Sequence, residues 1–211
     1  MKTSSRFDEM AAQWDNNPTR VELARVVGAA IGRAVPIEPH WRALDYGAGT
    51  GLLTLNLQPY VASLVALDSS AGMLEKLAQK ATAAGINNIQ TRQWNLEVQP
   101  FPETGFDLVL SSMTMHHLRD VPLVIRRLAA LLKPGGWFAV TDLDKEDGSF
   151  HGPVDDVFHH GFERNQVAQW LAEAGFNEVC VKDAHSVTKP SATGQLRAYA
   201  IFLAVGQKGR S

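Results

Sequence analysis

The pattern of apolar and polar positions alternates between two periods along most of the chain. Leu23, Val27, Ala30 and Ile31 recur at helical spacing behind Thr19-Arg20-Val21-Glu22, a run that reads as a capping box. Pro36 and Pro39 end that helix. Short β-rich runs then follow at Arg42–Tyr46, Ser63–Asp68, Ile89–Gln93, Phe106–Leu110 and Trp137–Leu143. Helical patterns lie between them at about Gly51–Leu57, Ala71–Ala84 and Pro122–Leu132, with Gly85 and Lys133-Pro134-Gly135-Gly136 as stop signals. Strands alternating with helices imply a parallel sheet covered on both faces. Continuous apolar runs such as Leu64-Val65-Ala66-Leu67 suit strands buried on both sides. A further helix is expected over Glu163–Ala174, with Val167, Trp170, Leu171 and Ala174 on one face and Gly175 closing it. Two longer strand patterns, Phe176–Val187 and Gln195–Val205, have no helix between them and are expected to pair antiparallel. Gly206–Ser211 reads as a frayed end.

Composition narrows the function classes more than it changes the fold. Of 211 residues, 20 are basic and 22 acidic, a balance that argues against a dedicated nucleic-acid binder. The lone cysteine, Cys180, cannot form an internal disulfide and fits a reducing, cytoplasmic setting. It lies in a late strand pattern and reads as a core residue. The first residues carry no apolar core of a secretion signal, and no apolar run reaches the ~20 residues of a membrane span. One domain over residues 1–211 is expected: a helical cap at 1–35, a ligand-binding core at 40–143, a covering lid at 144–162, and a helix with two strands at 163–206.

The first strand ends in Leu44-Asp45-Tyr46-Gly47-Ala48-Gly49-Thr50-Gly51. Glycines at a strand–helix turn admit a ligand where Cβ atoms would block it, and the following helix offers free N–H groups. The second strand ends in Asp68, near the offset at which an acidic residue accepts hydrogen bonds from a ribose diol; the bland alternative is an aspartate or Ser69 or Ser70 capping the next helix. Leu52 stands where a dinucleotide fingerprint has its third glycine. Asp45 would repel a pyrophosphate and attract an ammonium. Adenosine at one end and an amino acid at the other describe S-adenosylmethionine.

The motifs "LDYGAGTG", "LVALDSSAGMLEKLAQKA" (64–81), "FDLVLSSMTMHHLRD" (106–120) and "LLKPGGWFAVTD" (131–142) occur in order, and together they resemble the class I S-adenosylmethionine-dependent methyltransferases, of the broad small-molecule group that includes the ubiquinone/menaquinone enzymes. The resemblance implies a single-domain Rossmann-like α/β fold, a seven-stranded, mostly parallel sheet whose last strand is antiparallel. It implies cofactor contacts from Asp45, Gly47, Ala48, Gly49, Gly51, Asp68, Ser69, Met73, Asn95, Leu96 and Ser111. Asn95 departs from the usual aspartate, but its amide oxygen still accepts a hydrogen bond. The reaction implied is in-line displacement of methyl from the sulfonium, leaving S-adenosylhomocysteine.

The acceptor side is less defined. Trp14, Met115, His116, His117 and His160 are the candidates for its pocket, and His116 and His117 for catalysis. His151, His159, Asp155, Asp156 and Phe158 share the 144–162 stretch. No ligand spacing among these histidines supports a metal, so none is expected. Ser111-Ser112-Met113-Thr114 stands where amino-methylating enzymes of adenine or glutamine carry an Asn/Asp-Pro-Pro-aromatic clamp, so a small organic acceptor is expected. A protein that binds the cofactor without turnover is the alternative reading.

Overall fold

The computed structural model describes residues 2–190 and 194–210. Met1, Ser211 and residues 191–193, and with them the ends of the expected domain and frayed tail, lie outside the described residues. The elements run α1 (Lys2–Met10), α2 (Pro18–Ala34), β1 (Arg42–Tyr46), α3 (Leu52–Leu57), β2 (Ser63–Asp68), α4 (Ala71–Ala83), β3 (Ile89–Gln93), β4 (Phe106–Ser112), α5 (Val121–Leu131), β5 (Leu132–Leu143), α6 (Arg164–Glu173), β6 (Phe176–Pro190) and β7 (Leu196–Lys208). One seven-stranded sheet has the order β3-β2-β1-β4-β5-β7-β6. The pairs from β3 through β5 are parallel, and β7 is antiparallel to both of its neighbours.

The continuous apolar strands are explained by two cores, since successive strand residues face opposite sides of the sheet. Leu64 and Ala66 join α2, α3 and α4 residues such as Val27, Leu53 and Leu77 on one face. Val65 and Leu67 join α5 and α6 residues such as Ile125, Leu128 and Leu171 on the other. The winding reverses between β1 and β4, and ligands of open α/β sheets sit at such a reversal, beyond the strands' carboxyl ends.

Four expectations need correction. α2 is capped by Asn17, whose side chain accepts from the Thr19 N–H at 2.9 Å with Pro18 in the first turn. Proline is pre-organised for that position and lacks the N–H a cap would have to satisfy, so the helix starts earlier than the Thr19 box implied. Glu22 instead pairs with Arg25. Gly206–Lys208 is not frayed: Gly206 pairs with Phe138, Gln207 with Trp137, and the Lys208 ammonium donates to the carbonyls of Ala129 and Leu132. β5 begins at Leu132, so the Lys133-Pro134-Gly135-Gly136 stop lies within a strand across a β-bulge from β4. Cys180 is exposed on the edge strand β6, because Val179 and Val181 on either side of it turn toward the core.

Candidate functional site

A cavity of about 380 Å³ lies over the reversal. Its floor at one end is the turn after β1, where Gly47, Gly49 and Gly51 all have φ between 56° and 81°. The three glycines serve different ends. A Cβ on Gly47 would stand 2.1 Å from the Thr114 hydroxyl and one on Gly51 would stand 2.2 Å from Leu77, whereas one on Gly49 would meet no atom within 4 Å. Gly47 and Gly51 thus allow close packing, while Gly49 opens onto the space a ligand would use.

Asp45 is buried at the end of β1 and accepts from the Thr54 hydroxyl at 2.6 Å. Burial pushes its carboxyl up to about 7, against the pull of Thr54, and Asp68 adds to the rise. Asp68 accepts from the Gly49 and Ser70 N–H groups, each at 2.8 Å, which ties β2 to the glycine turn. Its carboxyl is raised by burial, opposed by those N–H groups. Ser70, not Ser69, caps α4 through Met73 N–H. Ala48, Ser69, Met73 and Asn95 line the same end.

The other end is built around histidines. The 3-10 turn Met115–His117 follows β4 and places His116 against Asp142 at the end of β5, Nδ1 to Oδ1 2.6 Å, with both side chains buried. Burial alone would raise the Asp142 carboxyl; the adjoining His116 and the Leu143 N–H outweigh it and hold it below its usual value. His117 Nδ1 lies 2.6 Å from the Asp156 carbonyl and can only donate there. His151 Nε2 lies 3.0 Å from His116 Nε2. Burial, and then the closeness of the His116 ring, lower His117 to about 4 and His151 to about 3, so both rings are neutral at pH 7. The 144–162 segment is pinned to this group: Phe158 and His159 N–H groups donate to the His116 carbonyl, and Asp144 bridges to Phe162.

The N-terminal segment closes the top. Asp8 accepts from Ser70 and Gly72, Asp15 from Thr50 and Lys80, and Arg6 pairs with Asp156. Phe7 meets Trp14 and His117 edge-on, with ring centroids 5.8 and 5.1 Å apart.

Of the expected site residues, Asp45, Gly47, Ala48, Gly49, Asp68, Ser69, Met73, Asn95, Trp14, His116 and His117 border the cavity. Five do not. Gly51 faces Leu77, and Leu96 and Met115 are core residues. Ser111 spends its buried hydroxyl on the Tyr46 carbonyl at 2.8 Å, leaving Ser112, Met113 and Thr114 at the wall. His160 is exposed and faces Glu146, because the loop turns His151 inward instead. Asp142 was missed; its place at the carboxyl end of β5 was the signal that could have found it.

A family model described as a methyltransferase domain matches residues 19–181. The chain belongs to the class I S-adenosylmethionine-dependent methyltransferases. An uncharacterized methyltransferase of Bacillus subtilis, YcgJ, is 30% identical over 159 residues, 71% of this chain and 61% of that protein. A ubiquinone biosynthesis O-methyltransferase of a Chelativorans species is 32% identical over 156 residues, 66% of this chain and 61% of that protein. The chain spans about half to three fifths of the length of the curated relatives it matches. The YcgJ crystal structure aligns with a TM-score of 0.70 at 19% identity, covering 88% of this chain and 99% of that one. A methyltransferase of Aquifex aeolicus aligns at 0.68 and 19%, covering 97% of each chain. These alignments establish the fold of the methyltransferase. No described helix is long and apolar enough to cross a membrane.

Proposed function

We propose that the chain transfers the methyl group of S-adenosylmethionine to a small organic acceptor held between the glycine turn and the histidine cluster. The observation that carries this reading is the single cavity bordered at one end by Asp45, Gly49 and Asp68 and at the other by His116, His117 and His151. Asp45 would hold the cofactor's ammonium, Asp68 its ribose hydroxyls, and Met73 and Asn95 its adenine. Phe7, Trp14 and Phe150 supply apolar walls for the acceptor.

Displacement from a sulfonium disperses a charge already present, so the site accelerates it by alignment and exclusion of water, effects that can reach about 7–11 kcal/mol. Residues 2–35 and 144–162 are the covers that exclude that water. Neutral imidazoles at the acceptor end offer lone pairs to an O–H, N–H or S–H that must lose its proton. The near balance of charge favours a small acceptor over nucleic acid, and the lone Cys180 suits a cytoplasmic setting.

The experiment is radiolabel transfer from S-adenosylmethionine to a panel of hydroxyl, amine, thiol and activated-carbon acceptors, with S-adenosylhomocysteine binding measured by calorimetry. Transfer to at least one acceptor is expected. Tight binding with no transfer across the panel would favour a binder without turnover.

A further inference from the structure

The histidine cluster contains more than a general base requires. One ring nitrogen from each of His116, His117 and His151 lies within 4.8 Å of the other two. Two of the rings are oriented from behind. The His116 Nδ1–H is held by the buried Asp142 carboxylate and the His117 Nδ1–H by the Asp156 carbonyl, each at 2.6 Å. A neutral imidazole donating from Nδ1 presents an unprotonated Nε2 at its other edge. Carboxylates and backbone carbonyls behind histidines in this way are the arrangement that orients imidazole ligands on a metal.

We infer that His116, His117 and His151 form a three-histidine site for a divalent first-row transition-metal ion, open toward the acceptor end of the cavity. Zinc takes imidazole nitrogens at about 2.0–2.1 Å in a tetrahedron, which separates the ligand atoms by about 3.3 Å. The His116 and His151 nitrogens, at 3.0 Å, are within a few tenths of an ångström of that spacing. A hydrogen bond between these two rings accounts for their contact but gives His117 no part. Among the described residues its Nε2 has no hydrogen-bond partner, although its ring centroid is 4.1 Å from that of His116.

All three residues border the cavity, from which an acceptor could reach an ion held between them. The Lys189 ammonium on the same side is drawn onto the Phe150 carbonyl and ring. An ion here would bind an acceptor oxygen, nitrogen or sulfur directly and favour its deprotonated form. That consequence rests on the methyltransferase reading; the binding of the ion does not.

The test is zinc titration calorimetry on the full chain after chelator treatment, with S-adenosylhomocysteine binding measured on every sample. One zinc per chain is expected for the wild type. His151→Gln and, separately, His117→Gln should bind it at least about 100-fold more weakly, and Asp142→Asn about 10–100-fold more weakly, while each still binds S-adenosylhomocysteine. Cobalt should give the visible absorption of a tetrahedral site in the wild type and lose it in the histidine variants. A wild type that binds S-adenosylhomocysteine but takes no stoichiometric zinc or cobalt overturns the site. So do histidine variants that bind zinc as tightly as the wild type. Stoichiometric, His151-dependent zinc without any S-adenosylhomocysteine binding would support the metal site and overturn the functional reading.

Discussion

At the Asp45–Asp68 end of the cavity the wall is largely backbone, supplied by two consecutive strand–helix turns and tied together by a single Asp68 carboxylate. At the histidine end the wall is side chains from four separate places: the turn after β4, the last residues of β5, the 144–162 segment and the N-terminal helix. The first end depends on what is absent, a Cβ at Gly49, and the second on the packing that brings distant rings together. Changes at the two ends should therefore separate cofactor binding from acceptor chemistry.

The largest expected effect is at Gly49. Gly49→Val places a branched side chain in the open space and at a φ of 56° that β-branched residues rarely adopt, so S-adenosylhomocysteine binding should become undetectable by calorimetry, a loss of at least about 3 kcal/mol. Retained affinity would mean that the ligand does not approach this turn. Asp68→Ala should weaken binding by about 1–3 kcal/mol through lost charge-assisted hydrogen bonds, part of it from the two N–H groups left without their acceptor. Unchanged affinity would move the ribose elsewhere.

The buried Asp45 gives the cofactor end a pH dependence. Its folded-state carboxyl is raised from 3.8 to about 7, so between those values the folded chain keeps a proton that the unfolded chain has released. That contribution makes the ligand-free protein less stable as pH rises from about 4 to about 7. A ligand ammonium facing the ionised carboxylate reverses the preference. Affinity for S-adenosylhomocysteine should rise with pH from 6 to 8, by no more than about tenfold per unit, with proton release on binding seen in buffers of different ionisation enthalpy. A flat profile in Asp45→Asn would assign the effect to this residue; the same slope in that variant would remove it. The smallest effect is expected from Arg6→Ala, which frees one of the N-terminal clasps. Arg6 is 40% exposed, so solvent screening limits its pair with Asp156, and the melting temperature should fall by only a few degrees, equivalent to about 1 kcal/mol or less. A loss as large as that of Asp68→Ala in cofactor affinity would show that the N-terminal helix walls the cofactor's end as well as the acceptor's.

Features whose physics is local can be read from the residues in order. Hydrophobic period placed β1, β2 and β3 at their observed limits and the principal helices within a residue or two, because period and burial are two expressions of one geometry. The glycine turn and Asp68 were legible for a related reason: a strand end and the next strand's end become neighbours in any parallel β-α-β unit. The remainder was set by the folded molecule. It brought His151 to His116 across 35 positions, set Asp142 behind them, and turned His160 out to Glu146. It also carried β7 on to Lys208, because the carbonyls that receive that ammonium lie at the end of α5 and the start of β5. No period or spacing records such meetings. They follow from how a loop of irregular backbone settles against the completed sheet, and that depends on the whole surface beneath it.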